Sequence, residues 1–167
     1  MIVTAVTNEV FPDASQEFLP KIFARAAEAG IKHFELRIVE SRRFPPYDAD
    51  SWVRLKKLAK DYGVTFTAAS PGLFKAGLDS EFQALHLDYL LPMSMDLAAS
   101  VGVDAMIVFA PNRSATEQPG EFDRVVNILG EAVDKAAAKG FTVQLENLPG
   151  SWADTSDACL ALLQAVN

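Results

Sequence analysis

The chain has 167 residues, half of them apolar and 22% charged, so by length it is one domain with a sizeable core and not a disordered segment. Its net charge of -7 argues against a nucleic-acid surface, which works by neutralising phosphates with Lys and Arg. The single cysteine, Cys159, rules out an internal disulfide and predicts a reducing, cytoplasmic setting, and no apolar run reaches the roughly 18 residues of a membrane span.

Residues Ile2 to Thr7 are β-prone and carry no basic leader, so they read as a first strand rather than a signal peptide. Phe11-Pro12-Asp13 is a turn, and Asp13 with Gln16 resembles a capping box. Phe18, Ile22, Ala26 and Ala29 recur at helical spacing up to Gly30, with Pro20 marking a kink or the start of the regular helix. Ile31 to Val39 reads as the second strand, and Pro45-Pro46 as a loop. Trp52, Leu55, Ala59 and Tyr62 mark a helix face ended by Gly63. Val64 to Ser70 is the third strand, closed by Pro71-Gly72, and a helical stretch from about Asp79 to Ser100 is interrupted by Pro92. Asp104 to Ala110 is the fourth strand. Its helix runs from Glu121 to Lys139 with Val125, Leu129, Ala132 and Ala136 on one face. Phe141 to Asn147 is the fifth strand, and a last helix from near Asp154 carries Leu160 and Leu163.

Five strands alternate with five helices at roughly 33 residues per unit, the size of a βα unit in a (β/α)8 barrel. Such alternation predicts an α/β protein with parallel strands and right-handed crossovers. It leaves two architectures: a partial TIM barrel with five of eight strands, or a five-stranded doubly wound open sheet. Doubly wound strands are near-continuous apolar runs. Here His33, Glu35 and Arg37 share one face of strand two, and Thr142, Gln144 and Glu146 one face of strand five, which favours the barrel. No glycine-rich phosphate loop follows strand one.

Gly30 with Ile31 to Arg37, the run Ala98 to Val108, and above all Val143-Gln144-Leu145-Glu146-Asn147-Leu148-Pro149-Gly150 resemble the xylose isomerase-like TIM-barrel superfamily. The resemblance covers nearly the whole chain. It implies a metal-dependent sugar or sugar-phosphate isomerase/epimerase that moves a proton next to a carbonyl through an enediolate, with a small carbohydrate as substrate. It further implies that Glu146 is a metal ligand and catalytic acid/base, and that Glu35 lies in the substrate pocket. The implied cofactor is a divalent ion (Mn, Mg, Zn or Co), whose other ligands the family places on strands six to eight. The chain reaches Asn167 where strand six is expected, so a single (β/α)5 domain truncated before that strand is the expectation.

Arg37, Asn8 and Asn112 join Glu35 as candidate substrate contacts, because strand ends and the loops after them carry barrel active sites. Glu35 and Arg37 also suit a buried ion pair. His33, at the start of its strand, reads as structural, His86 as a satisfied helix histidine, Cys159 as core, and Arg42 and Arg43 as a solvated basic pair. A DNA-cleaving phosphodiesterase of the endonuclease IV kind needs several histidines, and only these two exist. A different class of function, a catalytically incomplete barrel fragment or a non-catalytic binding or assembly domain, follows from strand edges that invite a second copy or a completing chain.

Overall fold

The computed structural model describes residues 3–10, 19–45, 48–116 and 118–166. Among the described residues, seven strands and six helices follow one another in the order β1, α1, β2, β3, β4, α2, β5, α3, α4, β6, α5, β7, α6. One sheet has the strand order β1-β2-β5-β6-β7, and β3 and β4 form a separate two-stranded ribbon. The order of the larger sheet follows the chain and never reverses. A doubly wound sheet must reverse, so the order is that of consecutive barrel strands and sets the open-sheet alternative aside. No described helix is long and apolar enough to cross a membrane. The fold divides into two compact units, 1–71 with 96–105, and 72–95 with 106–167.

In the first unit, β1 (Thr4–Val6) pairs in parallel with β2 (His33–Leu36), which pairs in parallel with β5 (Thr65–Leu73). Phe34 and Leu36 are wholly buried on one face of β2, whereas His33 and Glu35 are half-buried on the other. Helix α1 (Leu19–Glu28) has Pro20 in its first turn, where a missing N–H is harmless. It buries Leu19, Ile22, Phe23 and Ala26. Ala29 falls past its end and is exposed, while Phe18, Asp13 and Gln16 lie outside the described residues. The Phe23 ring stands 5.0 Å from Phe34 and 6.4 Å from Phe66, centroid to centroid. Helix α2 (Ala49–Tyr62) is capped by Asp48, whose carboxylate accepts the Ser51 N–H at 2.7 Å, and ends at left-handed Gly63.

Strand two is shorter than its apolar pattern predicts. Ile38–Val39 (β3) turns back antiparallel onto Arg42–Arg43 (β4). The two-residue turn between them, Glu40-Ser41, has φ of 50° and 65°, the left-handed pair that matches strand twist in tight hairpins. Glu40 is held there by Arg54, which donates to its two carboxylate oxygens at 2.7 and 2.6 Å, and by Ser51 Oγ at 2.6 Å. The Arg54 hydrogen bonds hold the Glu40 carboxyl below its ordinary pKa. Ser41 is exposed, so Ser41→Gly removes a side-chain penalty without removing a contact. We expect it to raise stability by about 0.5–1 kcal/mol, read from the urea midpoint.

Strand β5 runs through Pro71-Gly72 to Leu73 instead of closing at Ser70. The β2 register ends at Leu36 opposite Ala69, so the N–H that Pro71 lacks has no β2 partner to serve. In the second unit, α3 (Phe82–Leu85) continues through a π-helical turn, His86–Leu90, into α4 (Leu91–Ala99). The Leu91 N–H donates to His86 O, five residues back, and this widened turn admits the Pro92 ring without ending the helix. Strand β6 (Ala105–Val108) is buried throughout. Helix α5 (Glu121–Ala137) buries Val125, Leu129, Ala132 and Ala136, the face its spacing predicts. Beyond β7 (Thr142–Leu145), α6 (Ser156–Val166) buries Leu162, and Leu160 and Leu163 are exposed.

Candidate active site

The carboxyl ends of β1 and β2 bring together Thr7, Asn8, Glu9, Glu35 and Arg37. Thr7, wholly buried, is their knot. Its N–H donates to Glu35 O at 3.1 Å. Its hydroxyl donates to Ile38 O at 3.0 Å and accepts the Arg37 and Ile38 N–H groups, each at 3.2 Å. Thr7, just past β1, carried no motif in the sequence that marked it as a buried knot. Glu35 emerges half-buried on the face away from Phe34 and Leu36. Arg37 pairs with Glu9 from the loop after β1. The Asn8 side-chain oxygen is buried and has no hydrogen-bond partner among the described residues, which makes it an acceptor in want of a donor. Arg42 is exposed as expected, but Arg43 is not solvated: it is half-buried and donates to Ser70 Oγ at 3.2 Å, because the β3–β4 ribbon turns it inward.

In the second unit the loops after β5, β6 and β7 are stitched together. Asn112 bridges Gly77 on one side and Ser151 on the other. The Asn112 N–H donates to Ala76 O, Arg113 N–H to Gly150 O and Trp152 N–H to Pro111 O, each at 2.9 Å. Gln83 Nε2 donates to Ala76 O and Gly77 O at 3.1 Å. The Arg113 guanidinium lies 4.4 Å over the Trp152 ring. The Asn112 backbone thus does structural work, while its side chain is exposed.

Glu146 follows β7 directly and is half-buried. Its N–H donates to Val108 O at 2.9 Å. Val143 and Leu145 line an apolar cavity with Val108, Leu129 and Leu162. Side chains alternate along a strand, so Glu146, like Thr142 and Gln144, points away from α5 and α6. The parallel register sets Glu146 beside Phe109 with both side chains on that face. Lys75, two residues past β5, lays its ammonium 3.9 Å from the Phe109 ring centroid.

Both histidines are structural. His33 Nδ1 lies 2.7 Å from Thr65 Oγ1. His86 Nδ1 accepts the Phe74 N–H at 2.8 Å, which requires the neutral ring. Burial pushes the His86 pKa below the ordinary value. The folded state therefore binds fewer protons than the unfolded one as pH falls below about 6.5, and stability is fully present above that pH and lost below it. We expect the urea midpoint to fall between about pH 7 and pH 5, and His86→Gln, which keeps an acceptor but cannot charge, to flatten that slope. Cys159 is half-buried in α6 and 3.5 Å from Ala153 O.

A family model described as xylose isomerase-like TIM barrel matches residues 23–167. The chain belongs to that family. Among solved structures, the probable 3-DHS dehydratase AsbF of Bacillus anthracis superposes with a TM-score of 0.78 at 21% identity, covering 99% of this chain and 59% of that one. D-allulose 3-epimerase from Methylomonas sp., solved in complex with D-allulose, gives 0.70 at 19% identity with coverages of 99% and 59%. The IOLI protein with a bound zinc atom gives 0.75 at 18% identity with coverages of 100% and 59%. At these identities the likeness is one of fold. The chain spans 59% of the length of each of these three structures. No curated protein matches it by sequence.

Among the described residues no group of three or more His, Cys, Asp or Glu side chains is placed to hold a metal ion. The family's divalent ion therefore does not fit these residues as a complete site. Glu146 alone would offer one carboxylate, and divalent ions take several oxygen or nitrogen donors.

Proposed function

We propose that this chain carries the acid/base half of a sugar or sugar-phosphate isomerase/epimerase that transfers a proton next to a carbonyl. Strand alternation carries the reading: Val143 and Leu145 line the cavity with residues of α5 and α6, so a carboxylate one residue past β7 falls on the opposite face. Carboxylates at the carboxyl ends of barrel strands are where such folds place chemistry.

In this reading Glu146 removes the proton from the carbon beside the carbonyl and leaves an enediolate. Returned to the opposite face of the same carbon, the proton gives an epimer; delivered to the neighbouring carbon, it gives an isomer. Asn112, in the same unit as Glu146, contacts a hydroxyl; Glu35, Arg37 and Asn8 are proposed sugar contacts of the first unit, with Asn8 Oδ1 accepting from a hydroxyl. Glu146 would be one of the ligands of a divalent ion, which would supply Lewis-acid chemistry when bound.

The test is exchange rather than turnover. D-Allulose and D-fructose in D2O with the purified chain and added Mn²⁺ or Mg²⁺ should lose the proton signal of the carbon beside the carbonyl, followed by ¹H NMR. No exchange above the protein-free rate on any ketose overturns the proposal. A second reading, a non-catalytic binding or assembly domain, is favoured by the lack of a metal-capable group among the described residues. Binding of these sugars without exchange would establish it.

A further inference from the structure

The loop after β5 is clasped by one face of the helix that follows it. Gln83 and His86 are three residues apart, so they rise from the same side of that helix. Gln83 Nε2 donates to Ala76 O and Gly77 O, each at 3.1 Å, and His86 Nδ1 accepts the Phe74 N–H at 2.8 Å. Asn112 N–H completes the clasp on Ala76 O at 2.9 Å. The Gln83 and Asn112 ties join an amide to a carbonyl and do not titrate. The His86 tie does, because a ring nitrogen that has taken a proton has no lone pair to offer.

Phe74 depends on that tie twice over. It is wholly buried with φ of 65°, a left-handed conformation that a bulky side chain rarely adopts and that persists only where the surroundings over-determine it. Its burial also leaves the N–H no water to turn to, so losing His86 Nδ1 strands a buried donor. Release of Phe74 relieves both costs at once. The Ala76 N–H donates to Phe74 O at 2.7 Å, so Phe74 cannot turn without moving the carbonyl that Gln83 and Asn112 hold.

The His86 ring is flanked by Phe74 and Phe82, with centroids 6.0 and 6.2 Å away. The charged groups of the elements around it are engaged elsewhere. Lys135 of α5 donates to Asp88 at 2.8 Å and reaches Glu131 at 3.2 Å; Arg124 donates to Asp79 at 2.6 Å; Lys75 lies over Phe109. Glu81, before α3, is exposed, and Asp96 lies further along α4. Burial is what holds the ring below its ordinary pKa.

We infer that His86 is a proton-operated latch on the loop after β5: a proton taken from solvent onto Nδ1 frees the Phe74 N–H and unfastens residues 74–77 from Asn112. The sign follows from linkage. The opened loop leaves an imidazole of ordinary pKa, about 6.5, whereas the closed loop holds it lower, so opening grows as pH falls through that value and is suppressed above it. The latch belongs to the fold and stands whether or not Glu146 moves a proton.

The experiment is amide hydrogen exchange of the ¹⁵N-labelled full chain, followed by NMR and corrected for the intrinsic pH dependence of exchange. The Phe74, Ala76 and Asn112 amides should share one opening constant, larger than that of the Glu146 amide, which is bonded between β6 and β7. That shared constant should rise about tenfold from about pH 7.5 to about pH 5.5, the ratio set by an opened-state pKa of about 6.5. In His86→Gln, which keeps an acceptor that cannot charge, it should not change with pH. In His86→Leu, which has no acceptor, it should be at least about tenfold higher than in the parent at pH 7.5 and equally indifferent to pH. A pH-independent constant in the parent, a pH dependence retained in His86→Gln, or loop amides that exchange with the same constant as Glu146 overturns the inference.

Discussion

Glu146→Gln should slow proton exchange at the carbon beside a ketose carbonyl by about 10²- to 10⁴-fold, the range a positioned general base supplies. Glutamine keeps the size and the hydrogen-bonding reach of the side chain but cannot accept the proton. The change leaves the fold alone, because what ties this residue to the sheet is its backbone N–H on Val108 O, not its carboxylate. The urea midpoint should therefore stay where it was while the exchange rate falls. Replacing Glu28, an exposed carboxylate at the end of α1, by glutamine is the control and should change neither. An unaltered exchange rate in Glu146→Gln assigns the base elsewhere.

Phe23→Ala should cost about 3–5 kcal/mol of stability. The ring is fully buried and meets Phe34, Tyr62 and Phe66 at centroid distances of 5.0, 6.1 and 6.4 Å. Truncation removes the transfer term of a whole ring and leaves a cavity walled by three aromatic groups that cannot all collapse into it. A domain's total stability is about 5–15 kcal/mol, so the variant sits near the edge of folding. Chemical denaturation should show a large drop in midpoint with an unchanged slope. Val53→Ala on α2, at a side chain 65% exposed, should move the midpoint by less than about 0.5 kcal/mol.

The βα rhythm was legible because it rests on periodicity, and so were the alternating faces of strands two and five. Phe34 and Leu36 are buried and His33 and Glu35 half-exposed, as the two-residue period requires. Phe23 was missed because Ile22 and Ala26 already satisfied a helical stripe, and a stripe wide enough to face a sheet takes the adjacent position too. The β3–β4 ribbon was invisible for another reason. Tight hairpins usually announce themselves with Asn-Gly or Asp-Gly, and here Glu40-Ser41 adopt the same left-handed angles with Arg54 and Ser51 holding the turn in place. Those partners are 14 and 11 residues away, beyond any local pattern. Pro71-Gly72 looked like a stop because strand propensity takes no account of which edge is paired at that height. Of the candidate contacts, Arg37 was expected beside Glu35, but its placed partner is Glu9, since the loop after β1 returns across the end of β2.

The seam running Gly77–Asn112–Ser151 has a consequence for anyone reshaping the specificity of this scaffold. Grafting one of its loops from a related barrel would unpair main-chain groups in the other two, because Asn112 is bonded on both flanks. Ala76, Gly150 and Pro111 would each lose the donor they now accept from. The three segments behave as a single cassette and should be exchanged together, with Gln83 carried along as the brace that holds the first of them.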